Sequence, residues 1–268
     1  MQTLIKKLAV QTALSLLLFG AVLLGFARVD WMAAFHLDSR ILEQKLGGLY
    51  WQLLSQQLLF VQEDSLTRPL DTLLTRLCTA NHLEGERIKL HLVCSREINA
   101  YAFPDNHLVI HTALLEDCRS ESELCGVMAH EVAHIEHGHV MQKVMKELGL
   151  GIFIGMGGKG GELIGRTLGN FSSLAYDRSL ESEADETAVR YLLAAQINPE
   201  GLAGFLHRLG EYENTPELSE WISTHPDSQK RSRKIIALCA SADGEPFVPV
   251  LGKGTWERWK AQLKLFLE

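Results

Sequence analysis

The sequence is poor in the residues that mark special structural classes. Only 7 of its 268 residues are proline and 5 are cysteine, and no two cysteines form a C-x-x-C pair. The lack of such a pair argues against a structural zinc knuckle. Basic residues are also in the minority, 26 against 33 acidic ones, which gives a net charge of −7. This balance argues against nucleic-acid binding, because phosphates attract a cationic surface.

What is present describes a globular chain. With 46% hydrophobic and 22% charged residues, the composition excludes a disordered or collagen-like protein. The five cysteines leave two interpretations open. In an exported protein, Cys78 with Cys94 and Cys118 with Cys125 would form disulfides, and otherwise all five are small buried hydrophobic residues.

An apolar run near the N-terminus indicates the compartment. Leu8 to Ala27 is free of charged side chains and follows Lys6 and Lys7. A helix of 20 residues is about 30 Å long, enough to span a bilayer, and the lysines predict an exported C-terminal part. Residues 1–28 are therefore a transmembrane anchor or, because Gly25-Phe26-Ala27 offers a cleavage site, a signal peptide.

The periodicity of apolar residues predicts a mainly helical α+β fold with a small sheet. We expect the helix that begins at Ser122, its capping residue, to run to about Leu148. A turn at Pro104-Asp105-Asn106 separates two of the strands. A glycine-rich segment, 149–169, is either a lid or membrane-touching loop or a loosely packed helical hairpin. The predicted helices are 41–60, 69–80, 124–148, 179–195, 201–209 and 255–266, and the predicted strands are 87–93, 100–103 and 107–111.

Histidine is concentrated in one region, with six of the eleven residues between His107 and His139. Within it, His130-Glu131-Val132-Ala133-His134 is an H-E-x-x-H motif on a predicted helix. Residues four apart share a helix face, so both imidazoles can bind one zinc ion. Glu131 lies on the same broad side, where it can take a proton from water.

A catalytic zinc ion needs a third protein ligand and an open position for water. Glu181 and Asp185 are four residues apart at the start of another predicted helix, whereas Glu183 points roughly the opposite way. This spacing favours Glu181 as the ligand. Asp185 is then the acceptor that orients a ligand histidine through its other ring nitrogen.

Together these motifs resemble the membrane-associated zinc metallopeptidases of the HtpX and CAAX prenyl protease family, to which the BepA-type periplasmic proteases belong. The resemblance rests on the H-E-x-x-H motif followed by Glu181-x-x-x-Asp185, which is the gluzincin type. It extends to Asn99 through Pro104, Thr112 through Leu115, and Thr224-His225-Pro226 followed by Arg231. These segments occur in the same order and span about half of the chain.

The resemblance implies a zincin-like metallopeptidase domain behind the N-terminal helix. Residues 29–64 would be an amphipathic helical connector and 65–268 the metallopeptidase domain, with one Zn²⁺ ion per chain. By position, the ligands would be His130, His134 and Glu181, and the catalytic residues would be Glu131, His225 and Asp185. His225 would hydrogen-bond the oxyanion or occupy the fourth zinc position in a resting state.

The substrate is expected to be a polypeptide bound as an extended strand against the strand His107 to His111. His137 and His139 are expected to be ordinary residues at the end of the metal helix. The leading hypothesis is a zinc endopeptidase that cleaves misfolded or membrane-associated proteins in envelope quality control. Its domain would lie on the periplasmic side of the inner membrane, or free in the periplasm if the segment is cleaved. The alternative is a membrane-tethered chaperone or binding module with a structural zinc site, which would have four protein ligands.

Overall fold

A computed structural model describes residues 47–48, 51–52, 54–144, 146, 175–211, 219–240 and 246–268 of the chain. The apolar run Leu8 to Ala27 and the glycine-rich segment 149–169 lie outside these residues. Within the part that is described, no helix has the length and apolarity required to cross a bilayer.

The described chain is mainly helical and contains one small sheet. Three strands are followed by the helices that carry the motifs. The strands are β1 (Lys89–Val93), β2 (Ala100–Phe103) and β3 (His107–His111). The helices are α1 (Asp64–Ala80), α2 (Thr112–Asp117), α3 (Glu121–Glu136), α4 (Arg178–Ala194), α5 (Glu200–Glu211), α6 (Ser219–Thr224), α7 (Ser228–Ala240) and α8 (Thr255–Leu267), and a short 3-10 helix occupies Gly85–Arg87.

The sheet has the strand order β1-β3-β2. Strand β3 pairs in parallel with β1 and antiparallel with β2, so it is hydrogen-bonded on both sides. The prediction that His107 to His111 pairs with a substrate is therefore wrong, since a central strand has no free edge. The predicted turn is present, and Asp105 and Asn106 have φ values of 65° and 60° there.

Helix α1 begins before Pro69, the position at which the sequence predicted its start. It starts at Asp64 because Leu66 is buried on the same face as Leu70, and Pro69 lies inside it. Pro69 has no N–H for the carbonyl of Ser65, a local loss that the buried face offsets. The helix predicted to reach Phe60 ends at residue 55, and Phe60 forms an isolated bridge with Val93.

The helix with the H-E-x-x-H motif also differs at both ends. Its capping residue is Ser120, whose hydroxyl accepts a hydrogen bond from the backbone N–H of Glu123. It ends at Glu136, and Gly138, with φ of 67°, interrupts the helical backbone before a further helix begins at His139. The single helix predicted to run to Leu148 is therefore broken. The conformation at Gly138 favours glycine, because a Cβ atom clashes with the backbone in the left-handed region.

Helix α3 lies in the middle of the domain, packed against α4, α5 and β2. Its crossing with α5 is close, because a Cβ atom on Gly126 would lie 2.7 Å from Leu202 Cβ. Residues Leu124 to Val132 line the main core, with Trp221 and Trp259 among its largest members. All five cysteines are free, so the disulfide interpretation is not borne out.

Candidate metal centre

Two helices and one loop bring the predicted site residues together. Helix α3 supplies the two histidines and the glutamate of the H-E-x-x-H motif from one face, and α4 supplies Glu181 and Asp185 one turn apart. His225 follows directly after α6. All six residues are buried, with at most 1% of the surface of each exposed.

Four side-chain atoms that can bind a metal ion, which we call the donor atoms, face one another in this site. His134 Nε2 lies 3.1 Å from His130 Nε2 and 3.2 Å from Glu181 Oε1. His225 Nδ1 lies 3.0 Å from the same Glu181 oxygen and 3.4 Å from His130 Nε2. The ligand atoms of these four residues all lie within 4.8 Å of one another.

This arrangement has the size of a tetrahedral zinc site. With ligand bonds of about 2.05 Å, neighbouring donors of a tetrahedron are about 3.3 Å apart. Lone pairs that converge on one point repel each other unless a cation lies between them. The surrounding charges agree with this requirement, because three buried carboxylates (Glu131, Glu181 and Asp185) face a single buried guanidinium, that of Arg231. With all three carboxyls ionised, two negative charges are uncompensated and a divalent ion would balance them, so these residues fit zinc.

Arg231, on α7, joins the two buried acidic residues of α4. Its Nη2 and Nε donate to Asp185 at 2.7 and 2.8 Å, and its Nη1 contacts Glu181. Burial alone would raise the pKa of both carboxyls, but Arg231 outweighs it. The pKa of Glu181 is held well below its usual value and that of Asp185 falls to about 2. Asp185 Oδ1 also lies 3.1 Å from His130 Nδ1, so both carboxyls are anionic and are held in place.

Glu131 is fixed at the edge of the donor set. Its Oε2 accepts the backbone N–H of Ala102, on β2, at 2.9 Å. Its Oε1 has no hydrogen-bond partner among the described residues and lies 3.5 Å from His225 Nε2. Burial raises the pKa of Glu131, although His225 and His130 act in the opposite direction. A raised carboxyl pKa is suited to a group that takes up and returns a proton.

Two aromatic rings that the sequence analysis did not identify hold the histidine rings. Tyr176 stacks on His134 with ring centroids 3.9 Å apart, and Trp221 stacks on His225 at 4.4 Å. Tyr176 precedes Glu181 by five residues and Trp221 precedes His225 by four. A search for aromatics beside the metal motifs would have found both.

His139 and Glu183 also belong to the surroundings of the site. His139 is 1% exposed, and its Nδ1 lies 3.0 Å from Nδ1 of His134. Glu183, two residues after Glu181 on α4, contacts His139. His139 therefore lies beside the metal centre, which the expectation of an ordinary residue at the end of the helix does not include. The left-handed backbone of Gly138 separates it from α3, and a prediction of one continuous helix leaves this break out.

The other clustered histidines lie away from the donor set. His107 stacks on Trp51 at 3.9 Å and its Nδ1 lies 2.9 Å from His91 Nε2. Burial lowers the pKa of His91 and His107 to about 4. His111 Nδ1 lies 3.1 Å from the carbonyl oxygen of Glu97. His137 Nε2 lies 2.8 Å from the hydroxyl of Thr187.

Comparison with known proteins gives one family and several relatives. The profile described as Peptidase family M48 matches residues 64–238. The chain is 27% identical over 204 residues to the beta-barrel assembly-enhancing protease of Yersinia pestis, covering 69% of this chain and 41% of that protein. It is 29% identical over 160 residues to the mitochondrial metalloendopeptidase OMA1 of Arabidopsis thaliana, covering 57% and 32%.

A third relative is more similar in length. The metalloprotease LoiP of Escherichia coli is 27% identical over 172 residues, covering 61% of this chain and 67% of that protein. By contrast, the chain spans less than half the length of the two relatives above.

Proposed function

Because the chain belongs to peptidase family M48, whose members are zinc metallopeptidases, we propose that it is a zinc-dependent endopeptidase that hydrolyses polypeptides. The observation that carries the proposal is the buried set of His130, His134, Glu181 and His225 beside Glu131. A structural zinc site has no need of a buried, proton-accepting carboxylate next to its ligands.

In this proposal His130 Nε2, His134 Nε2 and Glu181 Oε1 hold the zinc ion. A zinc ion bound there supplies Lewis-acid chemistry, which polarises the scissile carbonyl and activates water. Asp185 orients His130 through Nδ1, and Arg231 keeps Glu181 and Asp185 anionic. His130 and Glu181 therefore each have a partner that fixes their orientation before a substrate arrives.

Glu131 carries the proton transfers. Its Oε1 takes a proton from the attacking water and passes it to the nitrogen of the leaving amine. Its Oε2 continues to accept the hydrogen bond from the N–H of Ala102, and this bond keeps the carboxylate in one orientation. A general base of this kind contributes about 10²- to 10⁴-fold to the rate. Since the N–H of Ala102 on β2 points toward Glu131, we infer that an extended substrate approaches along β2 and not along β3.

His225 has two candidate roles. Its Nδ1 lies among the four donor atoms, which favours the fourth zinc position in a resting state. The carbonyl oxygen of the substrate would then replace it, and the freed imidazole would hydrogen-bond the oxyanion. The same four-donor geometry favours the alternative, a chaperone or binding module with a structural zinc ion. A His225→Ala variant distinguishes the peptidase from the binding module. A peptidase keeps its zinc without this residue, whereas a structural site with four protein ligands loses it.

The cellular setting is a further part of the proposal. The domain 65–268 would act on misfolded or membrane-associated proteins in the envelope, which agrees with the names of the beta-barrel assembly-enhancing relatives. Residues 1–28 would anchor it on the periplasmic side of the inner membrane, or release it after cleavage, and 29–64 would be the connector. Fractionation of cells that express the full chain tests this arrangement.

The experiment that tests the activity compares two glutamates of α3. Glu131→Gln removes the proton acceptor, while Glu136→Gln makes the same change at an exposed position of the same helix. Unfolded casein is the substrate, and zinc content is measured by atomic absorption. We expect both variants to bind zinc and only Glu136→Gln to cleave. Cleavage by Glu131→Gln would refute the assignment.

A further inference from the structure

A chain of three polar side chains runs from the metal centre to the protein surface. Its members are His134, His139 and Glu183, which we call the histidine relay. His134 Nδ1 lies 3.0 Å from His139 Nδ1, and His139 Nε2 lies 3.4 Å from Glu183 Oε2. His134 and His139 are buried, whereas the side chain of Glu183 is 55% exposed.

The positions of the protons in the relay follow one from another. His134 Nε2 faces the other donor atoms, so it must carry a lone pair to bind a metal ion. The neutral ring then has its proton on Nδ1, which donates to His139 Nδ1. Nδ1 of His139 must therefore be unprotonated. The ring proton of His139 then lies on Nε2, which faces the carboxylate of Glu183. One tautomer satisfies all three groups.

We propose that His139 is a positioning residue for the metal centre, which accepts the Nδ1 proton of His134 and so fixes the tautomer and orientation of this ligand. Glu183 in turn fixes the tautomer of His139. His130 has its own partner in Asp185, so the relay supplies the corresponding support for the second histidine ligand. The inference rests on the proposed function only in taking zinc as the ion.

The fold brings these side chains together from α3, from the helix that follows it and from α4. Gly138, with φ of 67°, separates α3 from the helix that begins at His139, and His139 contacts the ring of His134 five residues earlier. Glu183 lies on α4, which packs against α3, and contacts His139 from there. If His139 served only to fill space, an apolar side chain would suffice, and no acceptor would be required at its Nδ1 position.

Two isosteric substitutions test the proposal. The Oδ1 atom of asparagine occupies the position of histidine Nδ1, and the Oε1 atom of glutamine occupies that of Nε2. His139→Asn therefore keeps an acceptor for His134, whereas His139→Gln places its polar group at the other end of the ring. Both are uncharged amides, so a general effect of polarity on folding is shared.

The zinc affinity of the full 268-residue chain is measured by competition with a chromogenic chelator, without reference to cleavage. Loss of a ligand's supporting partner typically lowers metal affinity 10- to 100-fold. We expect His139→Gln and His139→Ala to weaken zinc binding by about this factor and His139→Asn to stay within a few fold of the wild type. The visible spectrum of the Co²⁺-loaded protein should change in the first two variants only. His137→Ala, which removes a ring stacked on His139, is the control and should bind zinc normally.

Equal zinc affinity in the asparagine and glutamine variants would overturn the proposal, as would tight binding by His139→Ala. Thermal melts without metal show whether a variant is folded, and if all three are unfolded, His139 is a packing residue and the proposal fails. A wild type that binds zinc with the expected order of variants but cleaves nothing would refute the proposed function and leave this inference intact.

Discussion

The close crossing of α3 and α5 makes a prediction that can be worked from distances. A Cβ atom on Gly201 would lie 2.5 Å from the carbonyl carbon of Ser122 and 2.8 Å from the backbone nitrogen of Glu123. These are backbone atoms and cannot rotate away. On Gly204, in the same helix, the nearest atom to an added Cβ would be Glu123 Oε1 at 3.9 Å, an ordinary contact. The same substitution should therefore have opposite effects three residues apart.

The magnitudes follow from the two situations. Overpacking costs about 1–3 kcal/mol, and backbone contacts below 3 Å place Gly201→Ala near the upper end of that range. Gly204→Ala meets no obstacle and should gain about 0.5–1 kcal/mol, because alanine loses less conformational entropy than glycine in a helix. The two variants should thus differ by about 3–4 kcal/mol in the free energy of unfolding.

Urea denaturation of both variants measures this difference. Because Ser122 and Glu123 begin the helix that carries His130 and His134, Gly201→Ala should also weaken zinc binding, whereas Gly204→Ala should not. If Gly201→Ala were as stable as Gly204→Ala, the packing of α5 on the start of α3 would be wrong.

Three further predictions concern acidity, capping and metal. Unfolding free energy should fall as the pH drops from about 6.5 to 4, because His91 and His107, with pKa values of about 4, bind protons more readily when unfolded. Allowing for solvent screening, the loss at pH 5 is about 1 kcal/mol for each residue, and His91→Asn should flatten the pH dependence of urea denaturation relative to wild type. Ser120→Ala should lower stability by about 1 kcal/mol and Ser122→Ala by clearly less, since Ser120 caps α3; equal losses would argue against this cap. Zinc at 100 times its Kd should stabilise the chain by about 2.7 kcal/mol, so a chelator should lower the melting temperature, and an unchanged value would mean that the folded chain binds no zinc.

Strong local signals in the sequence predicted much of the fold. Their position on either side of a Pro-Asp-Asn turn identified the strands Ala100–Phe103 and His107–His111 with their observed bounds. The order of the strands could not be predicted in this way, because a five-residue apolar run does not show whether the strand lies in the middle of the sheet or at its edge. Pairing between distant segments decides that, and it placed β3 in the middle of the sheet.

The metal motifs could be predicted equally well, because helical spacing alone puts His130 and His134, or Glu181 and Asp185, on one face. The contacts that surround them were harder to foresee. His139 reaches His134 only because Gly138 adopts a left-handed conformation, whereas a periodic pattern predicts an unbroken helix. The sequence identified Arg231 only as part of a motif. Its charge can act on the site only because α7 packs against α4.

The most direct test of the account is the kcat/KM for casein cleavage by Glu131→Gln relative to wild type, at equal and measured zinc occupancy. The account predicts one zinc ion per chain in both proteins and a fall of at least about 100-fold in the variant, the lower limit for loss of a general base. A variant that keeps its zinc and cleaves at the wild-type rate would contradict it.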